Sequence, residues 1–558
     1  MERKISISWL SVYRLVLISG LLVFGINSLF VPLSGDQIEF HYAAYKMTHW
    51  GLLPYRDYND INFFGIFLYH ILCQKLFGYS EFGFQLFALL NFLFLCITLR
   101  YVLEYLIEGI RLEYIYLILI LYSATYYSVS WCYGQREIFI LPLVLWSIYF
   151  FKKALVDGRW LFALFSGLFS GAAFSIKPVG GAFLVILVLL NLIYNYPYPN
   201  SYKKRLSLTA ISFLGMFLVI FALAAYLARL GILAYFPQAL TLLFGFKQYP
   251  CTFMENLYNL MLGSDLVGIP QMVKKAARIS QYIYLFTLLN HALIYLMALA
   301  FIILKLLERN LKPYFTVICL FVIAVLLVFV QRTGNANHQM PAMCFGVILA
   351  VLLVRDLLES FKTYLAQKYS KQKENVTNLF NFAAIMLVIV LSLPFAHGCI
   401  GLMSFKFFTG KIPLSIYQAS IDGMKVNKDD VVKYIARDRD FNQEKDQVLL
   451  FSQYQYILYH SRARQFYKYP NNGLFLSLPK DFPLRASLET EFFKEFEKHP
   501  PKLIIVQKDD TNYSVVSPSF GWTTSYLEFM KYPIFKTALK EHYALMKHNR
   551  SFVVFKRK

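Results

Sequence analysis

The sequence predicts an α-helical polytopic membrane protein that ends in a small extracytoplasmic α/β domain, and three observations support this fold class. The chain has 558 residues, of which 58% are hydrophobic and only 16% are charged, whereas about a quarter of the residues in a typical soluble domain are charged. Its apolar residues form runs of about 20, the length that a helix needs to cross the hydrocarbon core. The net charge of +22 comes from short basic clusters between these runs, a pattern that sets membrane orientation and does not indicate nucleic-acid binding.

About eleven apolar runs are predicted to span the membrane. The first follows Met1-Glu2-Arg3-Lys4 and has no small-residue cleavage site after it, which predicts an uncleaved signal anchor. The seven cysteines show no spacing typical of a disulfide framework or a zinc site. The predicted spans are residues 12–33, 82–103, 113–131, 137–151, 160–176, 179–196, 206–229, 282–305, 313–330, 341–355 and 378–397.

Basic residues determine the predicted orientation of these spans. Alternate loops contain clusters such as Lys203-Lys204-Arg205, whereas the short loops between them contain only Arg136, Lys177 and Arg332. Because basic loops stay on the cytoplasmic side, we expect a cytoplasmic N-terminus and an extracytoplasmic tail. This assignment treats Ile61–Gly78 as a helix that lies in the membrane interface, because the segment is short and contains several polar side chains.

The predicted organisation has two domains. Residues 1–400 form a membrane domain with long outer loops at 34–81 and 230–281, and residues 401–558 form the tail. The tail alternates buried strands with helical segments, which predicts a compact α/β domain. Its predicted strands lie near 448–451, 503–506 and 551–555.

Asp36 is the first candidate for catalysis, because it lies where the first span ends on the outer face and ionisable groups near the bilayer are costly. Gly35 permits a sharp turn before it, and a helix that begins there places Asp36 and Glu39 on one face. A carboxylate in this position could accept a proton from an incoming hydroxyl group. The alternative is that Ser34 and Asp36 only cap an interfacial helix, a role that Asp performs well.

The polar turn from Pro54 to Gly65 is a second candidate. Tyr55, Asp57 and Asp60 lie in it, together with amides and a basic residue. Carboxylates accept hydrogen bonds from sugar hydroxyls, and amides both accept and donate them. Aromatic rings pack on sugar faces, so the turn is predicted to bind carbohydrate. An ordinary solvated turn has the same composition, and this alternative stays open.

Charged residues in three later outer loops complete the candidate site. Arg136 and Glu137 begin the fourth span, Lys177 follows the fifth, and Arg332 and His338 lie between the ninth and tenth. Arg and Lys at this depth are suited to bind phosphate. The structural alternatives are an internal Arg–Glu pair, a lysine that extends to the headgroups and a histidine with a purely structural role. The predicted topology places all five on the same side as the first outer loop, which favours one shared site.

These motifs, in this order, resemble those of the GT-C glycosyltransferases that use polyprenyl-phosphate sugars. That group includes the protein O-mannosyltransferases of glycosyltransferase family 39 and the bacterial aminoarabinose transferases that modify lipid A. The resemblance covers most of the membrane part, and a set of about eleven spans followed by a soluble outer domain is similar to that group as well. The motifs are Ser34-Gly35-Asp36, Pro54-Tyr55-Arg56-Asp57-Tyr58, Gly134-Gln135-Arg136-Glu137, Lys177-Pro178 and His338-Gln339-Met340-Pro341.

The resemblance implies a catalytic acid in the first outer loop, which falls on Asp36 in this chain. The family often has a second acid directly after the first, but this chain has Gln37 there and an acid only at Glu39. No cofactor is therefore predicted, and a divalent metal is left open without being favoured. The resemblance also implies that basic residues in later outer loops hold the lipid phosphate, namely Arg136, Lys177, Arg332 and His338.

The sequence thus predicts a membrane glycosyltransferase that moves a sugar, with inversion, from a polyprenyl-phosphate donor to an extracytoplasmic hydroxyl group. Its predicted partners are that donor, an unidentified glycan, lipid or protein acceptor, and the bilayer, with no nucleic acid. The resemblance favours the plasma (inner) membrane of a bacterium as the location, with the endoplasmic reticulum of a eukaryote as the alternative.

Two other functional classes stay open. A transporter or flippase of lipid-linked sugars or small solutes would share the spans, but such proteins more often have inverted repeats and broken helices, and the sequence shows neither. A membrane-anchored binding or assembly protein would leave the charged residues without a common purpose.

Overall fold

The computed structural model describes residues 36–128, 134–193, 201–246, 278–331, 336–368, 428–452, 455–466, 484–508 and 525–558, together with a few single residues before Asp36. The chain forms two compact units. The helical unit comprises Met1–Val31, Phe82–Ile220 and Phe253–Ile416, and the mixed unit comprises Pro32–Glu81, Phe221–Thr252 and Tyr417–Lys558. The mixed unit therefore combines the whole of the first predicted outer loop and part of the second with the tail. The predicted boundary at residue 400 lies outside the described residues.

Helices account for most of the described residues before the tail, with short 3-10 turns at Leu233–Tyr235 and Lys312–Tyr314. In chain order the helices are α1 (Asp36–His49), α2 (Phe64–Phe77), α3 (Glu81–Leu106), α4 (Leu112–Ser128), α5 (Arg136–Asp157), α6 (Trp160–Ile176), α7 (Pro178–Ile193), α8 (Tyr202–Arg229), α9 (Phe236–Phe246), α10 (Arg278–Leu307), α11 (Phe315–Gln331) and α12 (Ala336–Lys368).

The tail alternates helices with strands, as the sequence predicts. Its elements in chain order are α13 (428–437), β1 (Gln447–Phe451), α14 (Tyr456–Ser461), β2 (Arg464–Gln465), α15 (Arg485–Lys498), β3 (Leu503–Gln507), α16 (Ser525–Phe529), α17 (Pro533–His542), β4 (Tyr543–His548) and β5 (Phe552–Arg557).

The predicted class of helical membrane protein is confirmed. Nine predicted spans coincide with described helices, which are α3 to α8 and α10 to α12. Two predicted spans lie outside the described residues, namely 378–397 and, apart from a few single residues, 12–33. The total of about eleven spans therefore stays a prediction. Five helices in the described part of the chain are long and apolar enough to cross a membrane, namely Glu81–Leu106, Arg136–Asp157, Tyr202–Arg229, Lys312–Gln331 and His338–Tyr364.

Glycine residues let helices of the helical unit pack at close range. A Cβ atom at Gly167 in α6 would collide with the backbone carbonyl oxygen of Ser212 in α8, and one at Gly180 in α7 would lie 2.8 Å from the Cβ atom of Ala173 in α6. Small residues at such contacts are typical of membrane helices, which associate through close packing because lipid provides no hydrophobic driving force. The contact at Gly180 holds α6 and α7 together beside their junction at Lys177.

Helix α2 is the segment that the sequence predicts to lie in the interface. Its 14 residues give a length of roughly 21 Å at 1.5 Å per residue, which is shorter than a hydrocarbon core of about 30 Å. One side of the helix is buried, whereas Leu68, Leu72 and Leu76, spaced four residues apart, are exposed. An exposed apolar stripe on a short helix fits the interfacial prediction, and the position of α2 relative to the membrane stays a prediction.

The sheet of the mixed unit has five described strands in the order β2-β1-β3-β5-β4. Strand β1 pairs in parallel with β2 and β3, whereas β5 pairs antiparallel with β3 and β4. Parallel neighbours need a helical crossover between them, which α14 and α15 supply in the described chain. An aromatic core on this sheet includes Phe451, Phe492, Phe529 and Phe535.

Candidate functional site

In the helical unit, a cluster of charged side chains joins three positions that are far apart in the sequence. Lys177 Nζ donates a hydrogen bond to Oε1 of Glu137, and the same carboxylate oxygen lies 3.4 Å from Nε2 of His338. Glu137 comes from the start of α5, Lys177 from the junction of α6 and α7, and His338 from the start of α12. The structure therefore brings together three residues of the predicted site, of which Lys177 and His338 are predicted to hold the lipid phosphate.

Local sequence determines where Glu137 and Lys177 lie. Gly134 has a φ of 72°, and the extended Gln135 precedes the first residue of α5, so Glu137 stands in a first helical turn, where a negative charge is favourable. Lys177 is the extended residue after α6, because Pro178 disfavours helical backbone at the position before it. Pro178 then begins α7, where its missing N–H group costs nothing.

Burial makes this cluster energetically costly unless its charges are paired. The Glu137 side chain is 1% exposed and that of Lys177 is 10% exposed, and an isolated charge in this position would lose most of its hydration. Pairing compensates for part of that loss. Lys177 is therefore held by Glu137 and does not extend to the headgroups. Its ammonium group carries three donors, which allows it to contact a second anion while it keeps Glu137.

The other predicted residues of the later loops are less well defined. Arg136 is the first residue of α5 and is half-buried beside Glu137. Arg332 lies outside the described residues, and so do Ser34 and Gly35.

In the mixed unit, helix α1 presents the acidic residues that the sequence proposes near the first span. The helix begins at Asp36, and both Asp36 and Glu39 lie in its first turn, where the helix dipole favours carboxylates. Both side chains are half-buried, whereas most other residues of α1 are buried. The predicted helix with two acids one turn apart is therefore present.

The polar turn after α1 is ordered by its own carboxylates. Asp57 accepts a hydrogen bond from the backbone N–H of Leu53 at 2.8 Å and pairs with Arg56 at 2.7 Å. Asp60 accepts two hydrogen bonds from Asn62, one from its backbone and one from its side chain. These contacts give Asp57 and Asp60 a structural role in the turn, whereas their predicted contact with a sugar stays a prediction.

Tyr55 adopts a left-handed backbone conformation in this turn, with a φ of 71°. Such a conformation is strained for a residue other than glycine, and it persists only where the surroundings impose it. Tyr55 is 3% exposed, its hydroxyl donates to the carbonyl oxygen of Asn62 at 2.5 Å, and its ring packs on Phe67 and Phe236. The turn is thus a rigid element next to α1.

Lys46, near the end of α1, is 2% exposed and is not among the site residues predicted from the sequence. It follows Glu39 by seven residues, so both lie on one face of the helix. That spacing within a helix of mainly apolar and aromatic residues is a signal that could have identified it. Among the described residues, no group of three or more His, Cys, Asp or Glu side chains is arranged to hold a metal ion.

The arrangement of elements is similar to that of two solved structures. One is ArnT from Cupriavidus metallidurans bound to undecaprenyl phosphate. Its superposition covers 97% of this chain and 97% of ArnT, with a TM-score of 0.58 and 13% sequence identity. The other is the archaeal oligosaccharyltransferase AglB from Archaeoglobus fulgidus, in complex with an inhibitory peptide and a dolichol-phosphate. Its superposition covers 90% of this chain and 70% of AglB, with a TM-score of 0.52 and 11% sequence identity. The chain has the GT-C fold. No family model and no curated protein sequence matches the chain.

The GT-C fold confirms the resemblance predicted from the sequence motifs. At 11% to 13% identity the likeness concerns the fold alone, since unrelated functions can share a fold.

Proposed function

We propose that this protein is a membrane glycosyltransferase that moves a sugar from a polyprenyl-phosphate donor to a hydroxyl group of an extracytoplasmic acceptor, with inversion at the anomeric carbon. The acceptor belongs to a glycan, a lipid or a protein. The N-terminus is cytoplasmic and the tail faces the opposite side, so transfer takes place on the outer face of the plasma (inner) membrane.

The observation that carries this proposal is the buried cluster of Glu137, Lys177 and His338. Negative charge builds on the departing phosphate in the transition state, and fixed cations stabilise that charge more than they stabilise the bound donor. Lys177 and His338 are held at one carboxylate oxygen, which orients both before a donor binds. Arg136 and, by prediction from the sequence, Arg332 add donors suited to phosphate.

Asp36 is the proposed general base. An inverting displacement needs a group that accepts the proton of the attacking hydroxyl while that oxygen bonds to the anomeric carbon and the phosphate leaves. A half-buried carboxylate at the start of α1 can accept this proton. Glu39 on the same face and Tyr55, Asp57 and Asp60 in the rigid turn are proposed to bind the sugar hydroxyls.

The compared structures support a lipid-linked donor. ArnT was solved with undecaprenyl phosphate and AglB with a dolichol-phosphate, and both share the GT-C fold with this chain. Because both ligands carry a phosphate on a polyprenyl chain, the proposed donor belongs to the same chemical class.

The test is a comparison of cell-envelope glycans and lipids, by mass spectrometry, between cells with and without the gene. We expect one sugar modification to disappear and to return with the wild-type gene, but not with a gene that encodes Asp36→Asn. Accumulation of an unflipped lipid-linked sugar on the cytoplasmic side, with no lost modification that depends on Asp36, would instead indicate a transporter or flippase.

A further inference from the structure

Lys46 is a buried lysine of the mixed unit. Its Nζ atom lies 3.5 Å from the centroid of the Tyr58 ring and 5.1 Å from that of Tyr42. The same atom donates a hydrogen bond of 3.2 Å to Oε1 of Gln465. Lys46, which belongs to α1, thus contacts both the polar turn and strand β2 of the tail.

A second contact joins the same elements. The hydroxyl of Tyr42, one turn before Lys46, donates to the carbonyl oxygen of Ala463 at 2.6 Å. Strand β2 is held in the sheet by its pairing with β1 and by the hydrogen bond from Phe466 N to Val448 O at 2.8 Å. The position of α1 is therefore tied to the tail sheet through two buried side chains.

The charges around Lys46 come from the elements that bear the proposed site. Glu39 and Tyr42 face it from its own helix, Asp60 and Tyr58 from the polar turn, and Arg464 from β2 acts on Tyr42. In its protonated form, Lys46 attracts the Tyr58 ring and the carboxylates of Asp60 and Glu39. Lys46 could therefore hold the turn and the acidic face of α1 in a fixed relation.

We propose that Lys46 is a positioning residue that fixes the acidic face of α1 against the polar turn and the tail strand β2, so that the tail is required to orient Asp36 and Glu39. The positioning role rests on the proposed function. The joint that Lys46 forms between α1, the polar turn and β2 does not depend on that function. In this proposal the tail takes part in orienting the acidic face of α1.

Protonation of Lys46 makes the stability of the folded protein depend on pH, and the sign of this dependence follows from the direction of the pKa shift. Burial lowers the pKa of Lys46 to about 7, although Asp60 and Glu39 oppose this shift, whereas an unfolded lysine has a pKa of about 10.4. Between these values the unfolded chain binds one more proton than the folded chain, so the unfolding constant falls about tenfold per unit rise in pH. Below pH 7 Lys46 is protonated in both the folded and the unfolded chain. The contribution of Lys46 to the free energy of unfolding is then constant and at its least favourable value.

The experiment uses the full-length protein in lipid nanodiscs with the variants Lys46→Met, Lys46→Arg, Gln465→Leu and the double variant Lys46→Met/Gln465→Leu. Lys75→Met is the control, because Lys75 is exposed on α2. We expect Lys46→Met to lower kcat by about tenfold with the donor KM within about twofold, which corresponds to about 1.4 kcal/mol in the transition state. Lys46→Arg should restore at least a third of kcat, since a guanidinium can also lie over Tyr58 and donate to Gln465.

Two further readouts separate positioning from packing. The effects of Lys46→Met and Gln465→Leu should not add, because both break one contact, and the rise in stability between pH 7 and 10 should vanish in Lys46→Met but persist in Lys75→Met. Hydrogen exchange should become faster in α1, the turn and β2 together. Wild-type kcat, additive effects, or unchanged exchange in Lys46→Met would overturn the proposal.

The two proposals can fail separately. A wild-type protein that is inactive toward every polyprenyl-phosphate sugar offered would overturn the proposed function, whereas the exchange and pH measurements would still decide whether Lys46 joins α1 to the tail. Normal transfer by the wild type together with an unaffected Lys46→Met variant would overturn the Lys46 proposal alone.

Discussion

Lys177 donates a hydrogen bond to the carboxylate of Glu137, a residue 40 positions earlier in the chain. Both side chains lie in the helical unit, and Nε2 of His338 lies 3.4 Å from the same oxygen. A buried pair of this kind is poor evidence for stability, and at membrane depth it more often marks a functional site.

The change Asp36→Asn should abolish sugar transfer while the protein still inserts and folds. The amide has nearly the shape of the carboxylate but cannot accept the proton of the attacking hydroxyl at neutral pH. Turnover of the purified enzyme with a polyprenyl-phosphate sugar measures this. Asp440→Asn is the control, because the Asp440 side chain is 80% exposed in the tail. Near wild-type turnover in Asp36→Asn would remove Asp36 from the mechanism.

The changes Lys177→Ala and Arg332→Ala should weaken use of the donor more than use of the acceptor. Each removes a cation proposed to contact the lipid phosphate, and the loss of one such charge-assisted contact typically costs about 1.5–3 kcal/mol. Steady-state kinetics with each substrate varied in turn checks this expectation. Lys203→Ala, at an exposed position of α8, is the control. An unchanged donor KM and turnover in both variants would exclude these residues from the phosphate site.

The pair of Glu137 and Lys177 should show strong coupling in stability. Glu137→Leu or Lys177→Met alone leaves a buried charge without its partner, which should cost about 3–5 kcal/mol, whereas the double variant should lose much less. Thermal unfolding in detergent, measured as a double-mutant cycle, gives the coupling. Additive losses would mean that the two side chains contribute independently.

The proposed topology requires that Gly35 and Gly334 lie on the same side of the membrane. Single cysteines introduced at each position in a cysteine-free background should react with a membrane-impermeant thiol reagent added outside intact cells. A cysteine at Lys203, in a predicted cytoplasmic loop, should react only after permeabilisation. Labelling of Gly35 and Gly334 from opposite sides would rule out a shared site.

Close packing between α6 and α8 predicts a large effect at Gly167. The change Gly167→Leu should prevent the contact with the backbone of Ser212 and lower the melting temperature, because a packed interface cannot accommodate the added volume without strain. Ala210→Leu, on the exposed side of α8, should have little effect. Equal melting temperatures for the two variants would contradict the close approach of these helices.

The sequence predicts local features of this protein, such as helices and strands, better than contacts between distant residues. The helices at residues 82–103 and 160–176 follow from hydropathy, and strands near 448–451 and 503–506 follow from short runs of branched apolar residues, because both properties belong to adjacent residues. The helix that starts at Asp36 follows from the glycine before it and the acids in its first turn. Each of these predictions is confirmed by an element at that place.

By itself, the sequence determined the fold class, the helical segments and the residue types suited to a lipid-phosphate site, because composition and periodicity carry that information. Only the tertiary structure decided that Glu137 holds Lys177 and His338 together, and that Lys46 is buried against Tyr58 and Gln465. The physical reason is that the partner of a charged side chain is chosen by which helices and strands pack side by side. A contact between Lys46 and Gln465, 419 positions apart, leaves no trace in the residues around either of them.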